Sequence, residues 1–266
     1  DGRESGQTFI KIVNKTLSLY GIHVVNIDLT TTPTAQLVII KKKLSGGIML
    51  TASHNPKNWN ALKFFNDKGE FLSEHDVKEI LDIESNNLTP QFDNIDFGKI
   101  HDLEDSFRLH IDEILNLKHV NPQIIRDKKF KIVVDGINSS GGIIIPMLLE
   151  ILNVEVIKIN CVPDGNFAHD PEPLDKNLSD LKKEVLVHNA DLGIAVDPEV
   201  DRLVFVSEMG ETLGEENTLI SCADYILSKE SGPAVSNLSS SMGLRDICTK
   251  YNVEYFSSKV GEINVV

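Results

Sequence analysis

The sequence predicts an α/β protein, and three observations carry that prediction. Short β-branched runs alternate with longer stretches of helical spacing, polar clusters follow directly on apolar runs, and the alternation restarts near residue 130. With 266 residues and 41% hydrophobic content the chain is long enough for two domains or one large one.

The first helix is predicted over Gln7 to Leu19, where Ile10, Val13 and Leu17 share a face with Tyr20, and His23 to Ile27 reads as a strand. Thr31-Thr32-Pro33-Thr34 has the chemistry of a helix start, with threonines to cap and a proline to fix φ in the first turn. Gly47 to Leu50 is the next strand, and it runs straight into Thr51-Ala52-Ser53-His54-Asn55-Pro56. Open α/β sheets place their ligands at such strand ends. Amphipathic helices are expected at Leu72 to Ile83 and Glu104 to Leu117, separated by a polar surface loop from Ser85 to Asn94, and Lys118 to Lys129 reads as a linker.

A second cycle follows: a strand at Phe130 to Asp135, a helix at Gly141 to Leu152, a strand at Val154 to Ile159 and a helix at Leu178 to His188. Strands at Asp191 to Val196 and Leu203 to Ser207 then flank an acidic loop. From Gly210 a third cycle gives a helix at Glu215 to Lys229, a strand at Ala234 to Asn237, a helix at Leu244 to Lys250 and a strand at Val253 to Ser257. The segment from Gly261 starts like another helix. The predicted domains are 1–118, 119–209 and an incomplete third from 210 to 266.

A net charge of −14 argues against a nucleic-acid partner, which needs clustered Lys and Arg, but leaves room for a small phosphorylated ligand held by a few local cations. No run approaches the roughly 20 apolar residues of a membrane helix, and the first residues lack a signal peptide's pattern, so a soluble cytoplasmic protein is expected. Cys161, Cys222 and Cys248 have no metal-binding spacing and read as reduced core thiols.

Two loops carry the chemistry. Ser53 is a weak nucleophile by itself, but His54, the donor Asn55 and Lys63 shortly afterwards supply an acid, a base or a charge stabiliser at the same strand end. In the second loop Asp197, Glu199 and Asp201 alternate between apolar strands and can converge on one hard cation, for which Mg²⁺ is suited. Arg202 follows, a planar donor fit for a phosphoryl oxygen.

The string Thr51 to Pro56, with Asn60 and Lys63, resembles the active-site loop of the α-D-phosphohexomutases, the family of phosphoglucomutase, phosphomannomutase and phosphoglucosamine mutase. Asp197 to Arg202 resembles that family's metal loop, with Glu199 where an aspartate is usual. Asp1 to Gly6 is similar to the tail of its Arg-bearing loop, Gly165 to Leu178 to its second-domain loop, and Lys259 to Glu262 to a third-domain loop that touches the sugar.

The resemblance implies successive domains, each a mixed sheet with helices on both faces. It implies Ser53 as the phosphoserine, His54 against the substrate, Lys63 as general acid or base, and Arg202 as a phosphate contact. Asp197, Glu199, Asp201 and the Ser53 phosphate would hold Mg²⁺, and Arg3, Asn55 and Glu262 would contact substrate. The expected ligands are a hexose phosphate and a hexose bisphosphate. The resemblance further implies that complete relatives have a strand ahead of this first residue and a fourth domain. A metal-dependent phosphatase and a catalytically silent sugar-phosphate binding fragment are the competing readings. If the mutase reading holds, Ser53 lies near the three carboxylates across a domain interface.

Overall fold

The side-chain alternation of residues 131–207 builds the largest sheet. Val133, Ala195, Val204 and Val206 point to one face, while Ile132, Val134, Ile194 and Val196 point to the other. A strand buried on both faces needs apolar residues at every position, which is how these runs read. The computed structural model describes residues 1–86 and 96–266.

Strands β5 (Lys131–Asp135), β6 (Glu155–Ile159), β7 (Leu192–Val196) and β8 (Leu203–Ser207) form a four-stranded sheet in the order β6-β5-β7-β8. Only β8 is antiparallel to its neighbour. Helix α6 (Gly141–Ile151) covers one face through Leu149, and α7 (Ser179–His188) covers the other through Leu181 and Val185. The pairing Val196↔Leu203 makes residues 197–202 a hairpin loop at the end of the sheet.

Before this sheet come α1 (Gly6–Leu19), β1 (Val24–Asn26), α2 (Thr32–Lys42), β2 (Gly47–Leu50), β3 (Leu62–Phe65), α3 (Glu74–Ser85), β4 (Ile100–Asp102), α4 (Ser106–Leu115) and α5 (Pro122–Lys128). Helix α2 starts as expected, with the Thr31 side chain accepting from the Thr34 N–H and Pro33 in the first turn. Helix α3 starts two residues later than expected because Ser73 and Asp76 form a reciprocal capping box. Of the loop expected at 85–94, Ser85 closes α3, and residues 87–94 lie outside the described residues. The expected linker contains α5, whose first turn is fixed by Pro122 and by Asn121 accepting from the N–H groups of Gln123 and Ile124.

In the first 118 residues the described strands form two separate pairs. β1 pairs with β4 in parallel and β2 with β3 antiparallel. A cavity of about 680 Å³ lies between β1 and β2, with Ile10, Val13, Val24, Val38, Met49 and Phe65 in its lining.

After β8 come α8 (Glu215–Leu227), β9 (Ala234–Asn237), α9 (Gly243–Tyr251) and β10 (Tyr255–Ser258), with β9 and β10 parallel. The final helix start is a single 3₁₀ turn, Glu262–Asn264. All three cysteines are free thiols. Cys248 is buried and Cys161 partly so, but Cys222 departs from the core expectation because it lies on an exposed position of α8. No helix among the described residues is long and apolar enough to cross a membrane.

Candidate active site

Two hairpin loops meet here. The first links β2 to β3, and its register sets Lys63 opposite Met49. Lys63 thereby returns alongside the strand that delivers Ser53. Its Nζ lies 2.5 Å from Glu199 Oε1 and 3.5 Å from Asp201 Oδ2, which joins the first hairpin to the second.

Ser53 has φ of +52°, a left-handed conformation uncommon for a residue with a side chain. Three contacts hold it there. Its N–H donates to Thr51 Oγ1 at 3.0 Å, its carbonyl accepts from Arg3 Nη2 at 2.8 Å, and its hydroxyl lies 3.1 Å from His54 Nδ1. Such strain persists only where the surroundings over-determine it, and it gathers at functional loops. No hydrogen bond joins the Ser53 hydroxyl to the three carboxylates; Lys63, from the same hairpin, is the residue that reaches Glu199 and Asp201.

Arg3 is 1% exposed and works from behind the loop. It donates to the carbonyls of Ser53 and Asn55, pairs with Asp1, and stacks 5.1 Å from the Phe167 ring centroid. Burial lowers its pKa to about 10, against the raising influence of Glu199 and Asp197, so it stays a cation at neutral pH. Asn55 likewise serves its own loop, its side-chain amide donating to the Ala52 carbonyl at 2.8 Å.

In the second hairpin Asp197 is fully buried and organises the turn. Its Oδ1 accepts from the N–H groups of Asp201 and Arg202 at 3.1 and 3.3 Å, while Oδ2 is buried without a hydrogen-bond partner. One ligand oxygen from each of Asp197, Glu199 and Asp201 lies within 4.8 Å of the others. Burial first, then the charges of Asp201 and Glu199, pushes the Asp197 pKa up to about 8. An orphaned carboxylate oxygen beside two further carboxylates fits a hard divalent cation. The turn is held from outside: Ser139 and Ser140 donate to the Pro198 carbonyl at 2.6 and 2.9 Å, and Val200 is kept at φ of +63°.

Arg202 does not point into open space. Its Nη1 lies 2.8 Å from Glu172 Oε1 and 3.7 Å from Glu215 Oε1, and Glu172 Oε1 is also 3.9 Å from His54 Nε2. Glu172 was not singled out by sequence reasoning, although an acid between two prolines is the available signal. Thr32 was also missed; it contacts Glu199 through both its N–H and its hydroxyl. Glu262 sits apart, against α2, accepting from Gln36 Nε2 at 3.1 Å.

The loop that carries Glu172 is fastened at two points ahead of it. Gly165 has φ of +73°, and a Cβ there would fall 2.2 Å from the Gly2 carbonyl oxygen, so only glycine permits the approach to Arg3. Further along, His169 Nε2 lies 3.0 Å from buried Asp135 Oδ2. Burial alone would lower the His169 pKa, but the hydrogen bond and charge of Asp135, helped by the Asp170 carbonyl, raise it above 6.5. The stabilisation from this pair is therefore complete below the ordinary histidine value and is lost as pH rises through the raised one. Melting temperature should fall across that window in the unmodified protein, and His169→Gln should flatten the fall; parallel slopes in thermal melts would refute the assignment.

The fold and site together define an α/β protein of successive layered units in which a Ser-His loop is set against an acidic, cation-fitting hairpin. The family models described as phosphoglucomutase/phosphomannomutase alpha/beta/alpha domains I, II and III match residues 1–90, 108–210 and 215–266 in turn. The chain belongs to the α-D-phosphohexomutase family. It is 34% identical over 252 residues to a probable phosphoglucosamine mutase of Methanopyrus kandleri, covering 94% of this chain and 54% of the relative. It is 30% identical over 269 residues to a phosphoglucomutase/phosphomannomutase of Thermococcus kodakarensis, covering 100% of this chain and 58% of that one. A Burkholderia thailandensis phosphoglucomutase/phosphomannomutase family protein shares the fold, with a TM-score of 0.84 at 23% identity over 99% of this chain and 57% of its own. The chain spans about half the length of the curated relatives it matches.

Proposed function

We propose that this chain carries the phosphoserine and cation loops of a phosphohexomutase, which moves a phosphoryl group between the 1- and 6-hydroxyls of a hexose phosphate. The observation that carries the reading is the ionic contact of Lys63 with Glu199 and Asp201, which sets the Ser53 hairpin against the acidic hairpin. In line with it, residues 1–118, 119–209 and 210–266 are read as successive domains.

In this reading Ser53 bears the phosphoryl group. The bond from phosphorus to Ser53 Oγ breaks as one to a sugar hydroxyl forms, giving a hexose bisphosphate. That intermediate turns over, and its other phosphoryl returns to Ser53, so phosphate is conserved across the cycle. His54 Nδ1, at 3.1 Å, is placed to hold the proton of Ser53 Oγ whenever that oxygen is free. Lys63 is the candidate general acid or base: as the neutral amine it would take the proton of the attacking sugar hydroxyl, and the ammonium so formed supplies local positive charge. Arg3 fixes the loop carbonyls, so the nucleophile keeps its position through both transfers.

Asp197, Glu199 and Asp201 would hold Mg²⁺, which when bound neutralises charge developing on the phosphoryl oxygens. Arg202 adds a planar donor once a phosphate outcompetes Glu172. The cations needed are few and local, which reconciles an anionic substrate with a net charge of −14.

The test is the product. Purified protein given a hexose 1-phosphate, Mg²⁺ and a trace of hexose bisphosphate should yield the 6-phosphate with no net release of inorganic phosphate. Release of inorganic phosphate in place of isomerised sugar would replace this reading with a phosphatase.

A further inference from the structure

The first turn of α2 is built against the acidic hairpin. Thr32, 1% exposed, donates its backbone N–H to the Glu199 carbonyl at 2.9 Å and its hydroxyl to Glu199 Oε2. Glu199 is fully buried, and its other carboxylate oxygen, Oε1, accepts from Lys63. A carboxylate at a helix N-terminus is favoured by the helix dipole as well as by these donors. The contact spans the two hairpin-bearing parts of the chain.

We infer that Thr32 is a positioning residue for Glu199, and that the two are a matched pair setting the reach of the third carboxylate. The inference rests on the reading of Asp197, Glu199 and Asp201 as cation ligands. With Oε2 taken by the Thr32 hydroxyl, Oε1 is the oxygen left on the side of Lys63. Glu199 thus offers a cation one oxygen in a fixed direction, which suits an ion that demands near-octahedral geometry. An aspartate on the same backbone is one methylene shorter and would withdraw its carboxylate from the Thr32 hydroxyl. The threonine hydroxyl is thus within reach of the longer side chain that this sequence carries in the acidic loop.

Hydrogen bonds that orient a metal-binding carboxylate typically change affinity by about 10- to 100-fold. Mg²⁺ binding to the full chain, followed by titration calorimetry, should weaken by roughly that factor in Thr32→Val. Thr32→Ser, which keeps the hydroxyl, should retain the unmodified Kd, and Thr32→Ala gives a second deletion in case the valine does not fold. In a Glu199→Asp background the same Thr32 changes should have little further effect, because the hydroxyl has no carboxylate to orient. Melting temperatures in chelator separate weakened binding from general loss of structure.

If the unmodified protein takes up no Mg²⁺, both the cation reading and this inference fall. If it binds Mg²⁺ and Thr32→Val and Thr32→Ala bind it equally well, the inference alone is overturned. Equal losses with Glu199 in place and in the Glu199→Asp background would overturn the pairing.

Discussion

Ser53→Ala is expected to lower hexose-phosphate isomerisation by about 10⁴-fold or more, since removing a covalent nucleophile leaves only binding and electrostatics to act. The loss should be chemical and not structural. Two of the three contacts that hold the loop use the backbone of residue 53: its N–H to Thr51 and its carbonyl to Arg3. Alanine keeps both and loses only the hydroxyl that faces His54. The melting temperature should therefore stay close to that of the unmodified protein. Intact-mass measurement should find one phosphate on the parent chain and none on the variant. A fully active Ser53→Ala protein, or phosphate found only on another residue, would remove the mechanism.

Asp197→Asn should act in opposite directions on binding and stability. Mg²⁺ affinity should fall on the order of 100-fold or more, because a ligand is lost rather than merely disoriented. The metal-free protein should become more stable, by about 2 kcal/mol, the scale of a buried polar group left without a partner. Asp197 Oδ2 is such a group, and an amide there would present donors to Glu199 and Asp201 instead of a third charge. The pH dependence follows from the same crowding. A carboxyl whose pKa is raised in the folded state costs nothing below its ordinary value of 3.8 and increasingly destabilises as pH climbs toward about 8. Metal-free parent protein should therefore lose melting temperature over that range, with Mg²⁺ reversing the loss and Asp197→Asn removing it. An asparagine variant that melts lower than the parent at neutral pH would argue against an uncompensated carboxylate.

Much of this is legible in the residues themselves. Strands and helices of the 131–207 region are readable because the inward positions of the strands are apolar and the helices between them carry matching apolar faces. The three acids stand out because they sit together in a short loop between two buried strands. Other features depend on contacts between parts distant in sequence. Arg3 is a Gly-flanked residue of an opening loop, and only the fold shows it buried beneath Ser53 and Phe167. Thr32 reads as an ordinary helix-start residue, and its partner lies 167 positions away. Glu172 is hidden similarly, in a loop whose placement depends on the His169–Asp135 pair and on the close approach at Gly165. In the expected linker, the density of charge outweighs a single Asn-Pro helix start, and the short helix there escapes a reading by composition.

Concentrated samples of this polypeptide will feel the cavity between β1 and β2. Each of these strands has one hydrogen-bonded neighbour among the described residues, and apolar side chains such as Val24, Met49 and Phe65 line the space between them, a combination that invites edge-to-edge association.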